Sequence, residues 1–164
     1  MNFQICGLDH GHFSHLFGKS PQDLGEYGAE RVTVDEKPGF PCRVSLQDVD
    51  VGKTVLLMNY EHQSALSPYR SSHAIFVQEW ANQADFGKNQ IPEALRIRLI
   101  SVRAFDASGT MVDADIVDGN ELEGMIDRMF SIESVRYLHL HNAKRGCFAA
   151  RVERLVSSRK QSLK

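Results

Sequence analysis

The chain has 164 residues, 42% hydrophobic and 24% charged, with 19 Lys plus Arg against 21 Asp plus Glu for a net charge of -2. That is enough chain to bury one core, and too even a balance to set up the positive field that draws a protein to nucleic acid or anionic membrane. No run approaches the roughly 18 apolar residues of a membrane helix, the start lacks an export pattern, and Cys6, Cys42 and Cys147 are an odd set without CxxC spacing. The expectation is a cytoplasmic protein with reduced thiols and neither nucleic acid nor membrane as a partner.

In chain order, residues 1–8 alternate weakly as an edge strand, and Phe13, Leu16 and Phe17 recur at helical spacing. Ser20-Pro21-Gln22-Asp23 carries a cap, a first-turn proline and a first-turn acid, which predicts a short helix holding Leu24 and Tyr27. Val32 and Val34, then Val44 and Leu46 beyond the Pro38-Gly39 turn, read as half-buried strands. After the Val51-Gly52-Lys53 turn, residues 54–60 contain four consecutive apolar residues and form a strand covered on both faces, with Tyr60 and His62 on the side of Leu56 and Met58.

Residues 63–72 read as a loop, 74–79 as strand, and 80–90 as irregular chain. Pro92 opens a helix to about Arg98, followed by a strand to Phe105, a turn at Ala107-Ser108-Gly109 and a strand over 111–117. The clearest helix starts at Asn120 as cap with Glu123 reaching back, and repeats Leu122, Ile126, Met129 and Phe130 on one face. Strands over 135–141 and 147–155 close the chain. The pattern implies one α+β domain over 1–156, a mainly antiparallel sheet with about three helices packed on it, then a polar basic tail over 157–164.

The last hairpin, YLHLHNAKRGCFAARVER, carries the most chemistry. Alternation puts Tyr137, His139 and His141 on one face and the core-seeking Leu138 and Leu140 on the other. With Asn142 to Gly146 as loop, His141 falls opposite Cys147 and His139 opposite Ala149. The histidine face then has three readings: a solvent-facing surface with an inert cysteine, a pocket in which His141 activates Cys147, or a soft-metal site of His139, His141 and Cys147.

A second cluster gathers Cys42, Arg43, Tyr60, His62, Tyr69, Arg70 and His73 within about thirty residues. Arg43 and Arg70 are suited to grip a carboxylate or phosphate, with Tyr60 and His62 to orient or protonate it; each residue alone also fits a structural role. The group His10, His12, His15 offers metal-like spacing but sits beside Gly11 with no rigid frame.

The blocks KPGFPCRVSLQD, LLMNYEHQSALSPYRSSHAIFVQE, RAFDASGTMVDADIVDG and YLHLHNAKRGCFAARVER resemble the bacterial family called domain of unknown function 1203. The resemblance covers most of the chain but leaves out HGHFSH, and the run Ser72-His73-Ala74 is less typical of it. It implies a stand-alone cytoplasmic bacterial protein and carries no assigned activity. Arg43, Tyr60, His62, Tyr69, Arg70, His141, Asn142 and Cys147 all fall inside its blocks.

The leading functional expectation is a pocket for an anionic or polar small molecule. In it, His141, His62 and Cys147 are the catalytic candidates, and Arg43, Tyr60, Tyr69, Arg70 and Asn142 bind the ligand. That reading assigns no residue to a metal, and no cofactor is specified. The alternatives are a zinc-like site through His139, His141 and Cys147 with His62, and a non-catalytic module that uses its tyrosines and arginines to form a homodimer.

Overall fold

Alternating apolar residues build two antiparallel sheets rather than one. The computed structural model describes residues 2–155. The tail expected over 157–164 lies outside the described residues. The strands are β1 Phe3–Cys6, β2 Glu30–Thr33, β3 Thr54–Gln63, β4 Ser71–Val77, β5 Leu99–Phe105, β6 Met111–Asp118, β7 Tyr137–Asn142 and β8 Phe148–Arg154. The larger sheet runs β1-β8-β7-β5-β6 and the smaller β2-β3-β4. Helices α1 Pro21–Glu26, α2 Glu93–Arg96 and α3 Leu122–Phe130 complete the α+β arrangement.

The outer face of the larger sheet buries Val102, Ala104, Leu138, Leu140, Ala150 and Val152 against Leu122, Ile126, Met129 and Phe130 of α3. Burying four large side chains at about 1.5–3 kcal/mol each makes this stripe the main anchor of the helix. The apolar spacing expected over 120–130 is present, but the entry differs. Asp118, rather than Asn120, caps by accepting from the Asn120 N–H at 2.9 Å, and a 3-10 turn Gly119–Glu121 precedes the helix. α1 starts as expected, with the Ser20 hydroxyl accepting from the Asp23 N–H at 3.1 Å.

The second core, with Leu24, Val34, Cys42, Val44, Val55, Leu56 and Ile75, packs around the smaller sheet. Phe13 and Leu16 reach it from two 3-10 turns in place of the expected helix. The strand expected through Val44 and Leu46 is instead a turn, closed by Leu46 N–H donating to Cys42 C=O at 2.9 Å. Alternation misled here because Arg43, Val44 and Leu46 are all buried, which a two-faced strand at the surface would not allow. Arg98 clamps the segment by donating to both oxygens of Asp48 at 2.6 and 2.7 Å.

The two sheets meet where the loop after β3 docks on the β5–β6 turn. Ser67 Oγ donates to the Gly109 carbonyl at 2.9 Å, and Gln63 Nε2 donates to the Tyr137 hydroxyl at 2.8 Å. Gly109 has φ +79, and a Cβ there would fall 2.3 Å from that of Ala65, so this approach requires glycine.

Candidate metal centre

β7 lies between β5 and β8, so both of its edges are paired. The reading of the histidine face as a solvent-facing surface is corrected: His139 and His141 are 1% and 0% exposed. They do share a face, opposite Leu138 and Leu140, but the smaller sheet covers it. The register also differs. Leu140 pairs with Ala150 and His141 with Phe148, so β8 carries one extra residue, Ala149, as a bulge. Bulges re-aim side chains, and here the result is that Phe148 joins the histidine face.

Phe148 orients all three imidazoles. His62 from β3 stacks on it at 5.1 Å and 9°, while His139 and His141 meet it edge-on at 5.1 and 5.8 Å. The His62 ring lies 5.6 Å from that of His139 and 4.9 Å from that of His141. One ligand nitrogen from each of the three lies within 4.8 Å of the others. Zinc bonds of about 2.0–2.1 Å in tetrahedral geometry set nitrogens roughly 3.4 Å apart, so ring rotations on the order of an ångström close this set on an ion. His73 from β4 stands beside it, 5.8 Å from His62 and 6.1 Å from His141 between ring centres.

The hydrogen bonds define which nitrogens are available. His141 Nδ1 lies 2.8 Å from the Gly146 carbonyl, which can only accept, so Nδ1 carries the proton and Nε2 the lone pair. His141 Nε2, His139 Nδ1, His62 Nδ1 and His73 Nδ1 are buried with no hydrogen-bond partner among the described residues. Burial pushes the pKa of His62 down to about 4, of His139 to about 2 and of His141 to about 3. The nearby Arg103 pushes all three the same way, and the Gly146 carbonyl opposes this at His141. All three are therefore neutral at pH 7, the form in which imidazole ligates a metal.

The two polar clusters of the sequence thus meet through His62 and His141, but the other candidates do not join them. Cys147 is turned away from His141; its sulfur lies 3.2 Å from Arg43 Nη2 and 3.5 Å from Asn142 Nδ2. Arg43 is 2% exposed and donates also to the Phe148 carbonyl at 2.7 Å and to the Pro41 carbonyl. Arg70 is at the surface, forked onto Glu61 at 2.8 and 3.2 Å, so the expected joint grip of Arg43 and Arg70 is not formed. Tyr69 is 39% exposed, and Tyr60 packs on Phe13 at 5.6 Å in the second core. His10, His12 and His15 are exposed.

Sequence reasoning missed Phe148 and Arg103. Plain alternation along β8 puts Phe148 with Ala150 and Val152 on the leucine side, and alternation does not reveal a bulge. Arg103 pairs directly with His139 across the β5–β7 ladder and so projects on the histidine side; its signal was its even spacing from Ser101 and Phe105. An open surface cleft of about 430 Å³ lies elsewhere, lined by residues including Lys53, Gln78, Trp80 and Gln83.

A family model described as a protein of unknown function, DUF1203, matches residues 39–154. The chain belongs to this family. The matched span contains all four clustered histidines, Phe148 and Arg103, and leaves out His10, His12 and His15. No curated protein and no solved structure matches the chain.

Proposed function

We propose that this member of the DUF1203 family is a metal-binding protein in which His62, His139 and His141 hold one divalent transition ion such as zinc. The observation that carries the reading is the convergence of three neutral imidazoles, each with a buried nitrogen that no described residue satisfies. An unsatisfied buried polar atom costs about 1–3 kcal/mol, and an ion bound through such nitrogens would turn those costs into bonds. The His141–Gly146 contact is the kind of outer hydrogen bond that fixes a ligating imidazole. Of the ligands in the sequence reading, His62, His139 and His141 remain and Cys147 drops out, its sulfur lying against Arg43 and Asn142.

The same burial weakens the expectation of His62 and His141 as acid and base, since groups pushed to about 4 and 3 hold almost no proton at pH 7 and are feeble bases. Three protein ligands leave a fourth position for a small molecule, which keeps the small-molecule reading alive as a consequence of the metal. Cys6, Cys42 and Cys147 are all free thiols, which supports placement in a reducing compartment such as the cytoplasm. No helix among the described residues is long and apolar enough to cross a membrane.

The test is calorimetric titration of tag-free, chelator-treated protein with zinc, and separately with cobalt, nickel and manganese. One ion per chain is expected, with binding at least about 100-fold weaker in His62→Ala and His141→Leu. A folded wild-type protein that takes up none of the four ions overturns the reading.

A further inference from the structure

Arg103 is a half-buried cation without an acidic partner among the described residues. Among the described residues its one hydrogen bond is a long contact from Nε to Ser101 Oγ at 3.5 Å, which leaves both terminal nitrogens of the guanidinium without a described partner. Its position is fixed by the ladder: Arg103 opposite His139, and Ser101 opposite His141.

The carboxylates around it are otherwise engaged. Asp113 and Asp115 of β6 pair with Ala104 and Val102, hence project on the α3 side of the sheet, where Arg128 reaches them at 3.5 and 2.8 Å. Arg151, the other cation across from His139, is ion-paired with Glu153 and lies over the Tyr137 ring at 3.7 Å. Glu61 is held by Arg70 at the surface. The side of the sheet carrying the imidazoles therefore has an unneutralised guanidinium and no free carboxylate among the described residues.

A divalent ion on three neutral imidazoles would add two more positive charges to this surface. Such a centre selects an anion for its remaining position, and a guanidinium with two free N–H edges matches the paired oxygens of a carboxylate or phosphate. We infer that Arg103 is the anion-binding group of this site, holding one oxygen pair of an oxyanionic ligand whose other oxygen reaches the metal. This rests on the three-histidine centre proposed above. It assigns to Arg103 the role that the sequence suggested for Arg43 and Arg70, both of which are committed elsewhere.

Cobalt put in place of zinc gives visible bands that respond to the fourth ligand, so the experiment titrates cobalt-loaded wild type, Arg103→Met and Arg103→Lys with inorganic phosphate and, separately, with acetate. Wild type is expected to show a saturable spectral change with at least one of the two anions. Arg103→Met is expected to keep one ion per chain, at an affinity equal to or above wild type because a neighbouring cation is gone, while its anion affinity falls roughly 10- to 100-fold. Arg103→Lys is expected to fall between, having the charge without the fork.

The anion that binds more tightly in an Arg103-dependent way identifies the ligand class as phosphate or carboxylate. Equal anion affinity in wild type and Arg103→Met, or no spectral change in wild type with either anion, overturns the inference and leaves the metal centre standing. Failure of wild type to bind any metal removes both. If Arg103→Met loses metal and anion together, Arg103 is shown to support the fold of the centre rather than to grip a ligand, which also overturns it.

Discussion

The two faces of the larger sheet are both covered by other parts of the chain and differ in what fills them. On the α3 side, Leu138 and Leu140 meet Leu122, Ile126, Met129 and Phe130, and the buried polar nitrogen without a partner among the described residues is Nε of Arg154, whose guanidinium lies over the Phe130 ring. On the other side, His139 and His141 meet His62, Phe148 and Arg103, and buried nitrogens remain without partners. The first face is what holds the strands and helix together. The second gives up stability locally, and a surface that keeps such a cost is organised for something besides packing.

The largest way to sharpen this contrast is Phe130→Ala. Emptying a fully buried ring from the aliphatic face should cost about 3–5 kcal/mol in urea unfolding, with metal uptake per folded chain unchanged. A loss below about 1 kcal/mol would mean that α3 is not the anchor described here.

Second in size is the response of the metal-free protein to acid. An imidazole whose pKa is lower in the folded chain than the unfolded value of about 6.5 binds fewer protons when folded, so stability is whole above that pH and falls as the pH drops through it. For His62 the fall continues to about pH 4, and for His139 and His141 further down. Denaturation melts should show the metal-free protein less stable at pH 5 than at pH 7.5 by a few kcal/mol, and the difference should shrink in the triple variant His62→Leu, His139→Leu, His141→Leu. An acid response equal in that variant would place the titrating groups elsewhere.

Smaller and opposite in sign is His139→Leu. A leucine of similar volume removes an unsatisfied nitrogen, so the metal-free protein should be as stable as wild type or about 1 kcal/mol more stable, while zinc affinity collapses. Destabilisation by several kcal/mol would instead make His139 a packing residue and the two faces alike. The smallest effect is expected for Arg70→Ala. Its ion pair with Glu61 is solvent-exposed, so neither the urea midpoint nor metal binding should change measurably.

Much of the fold was legible because it is written in short-range periodicity. The stripe of α3, the cap of α1 and the hairpin of β7 and β8 follow from spacing and cap chemistry that act within a few residues. The turn at 43–46 was not legible: its apolar spacing imitates a strand, and only the tie of Asp48 to Arg98, fifty residues on, shows why it curls instead. For the site, the residue types were visible and His62 and His141 were both singled out. Their partnership stood as an expectation that spacing could not decide, since nothing local links β3 to β7, and the bulge at Ala149 that sends Phe148 inward and leaves Cys147 to Arg43 was not legible.

The amino-acid order alone settled the α+β class, the leucine side of β7 and the presence of two groups rich in histidine, because propensity and alternation are properties of neighbours along the chain. Only the tertiary structure decided that the histidine side is buried, that His62 lies against it and that Arg103 faces it with no acidic partner among the described residues. Those outcomes depend on one sheet packing over another, and the relative placement of two sheets is fixed by contacts between residues far apart in sequence.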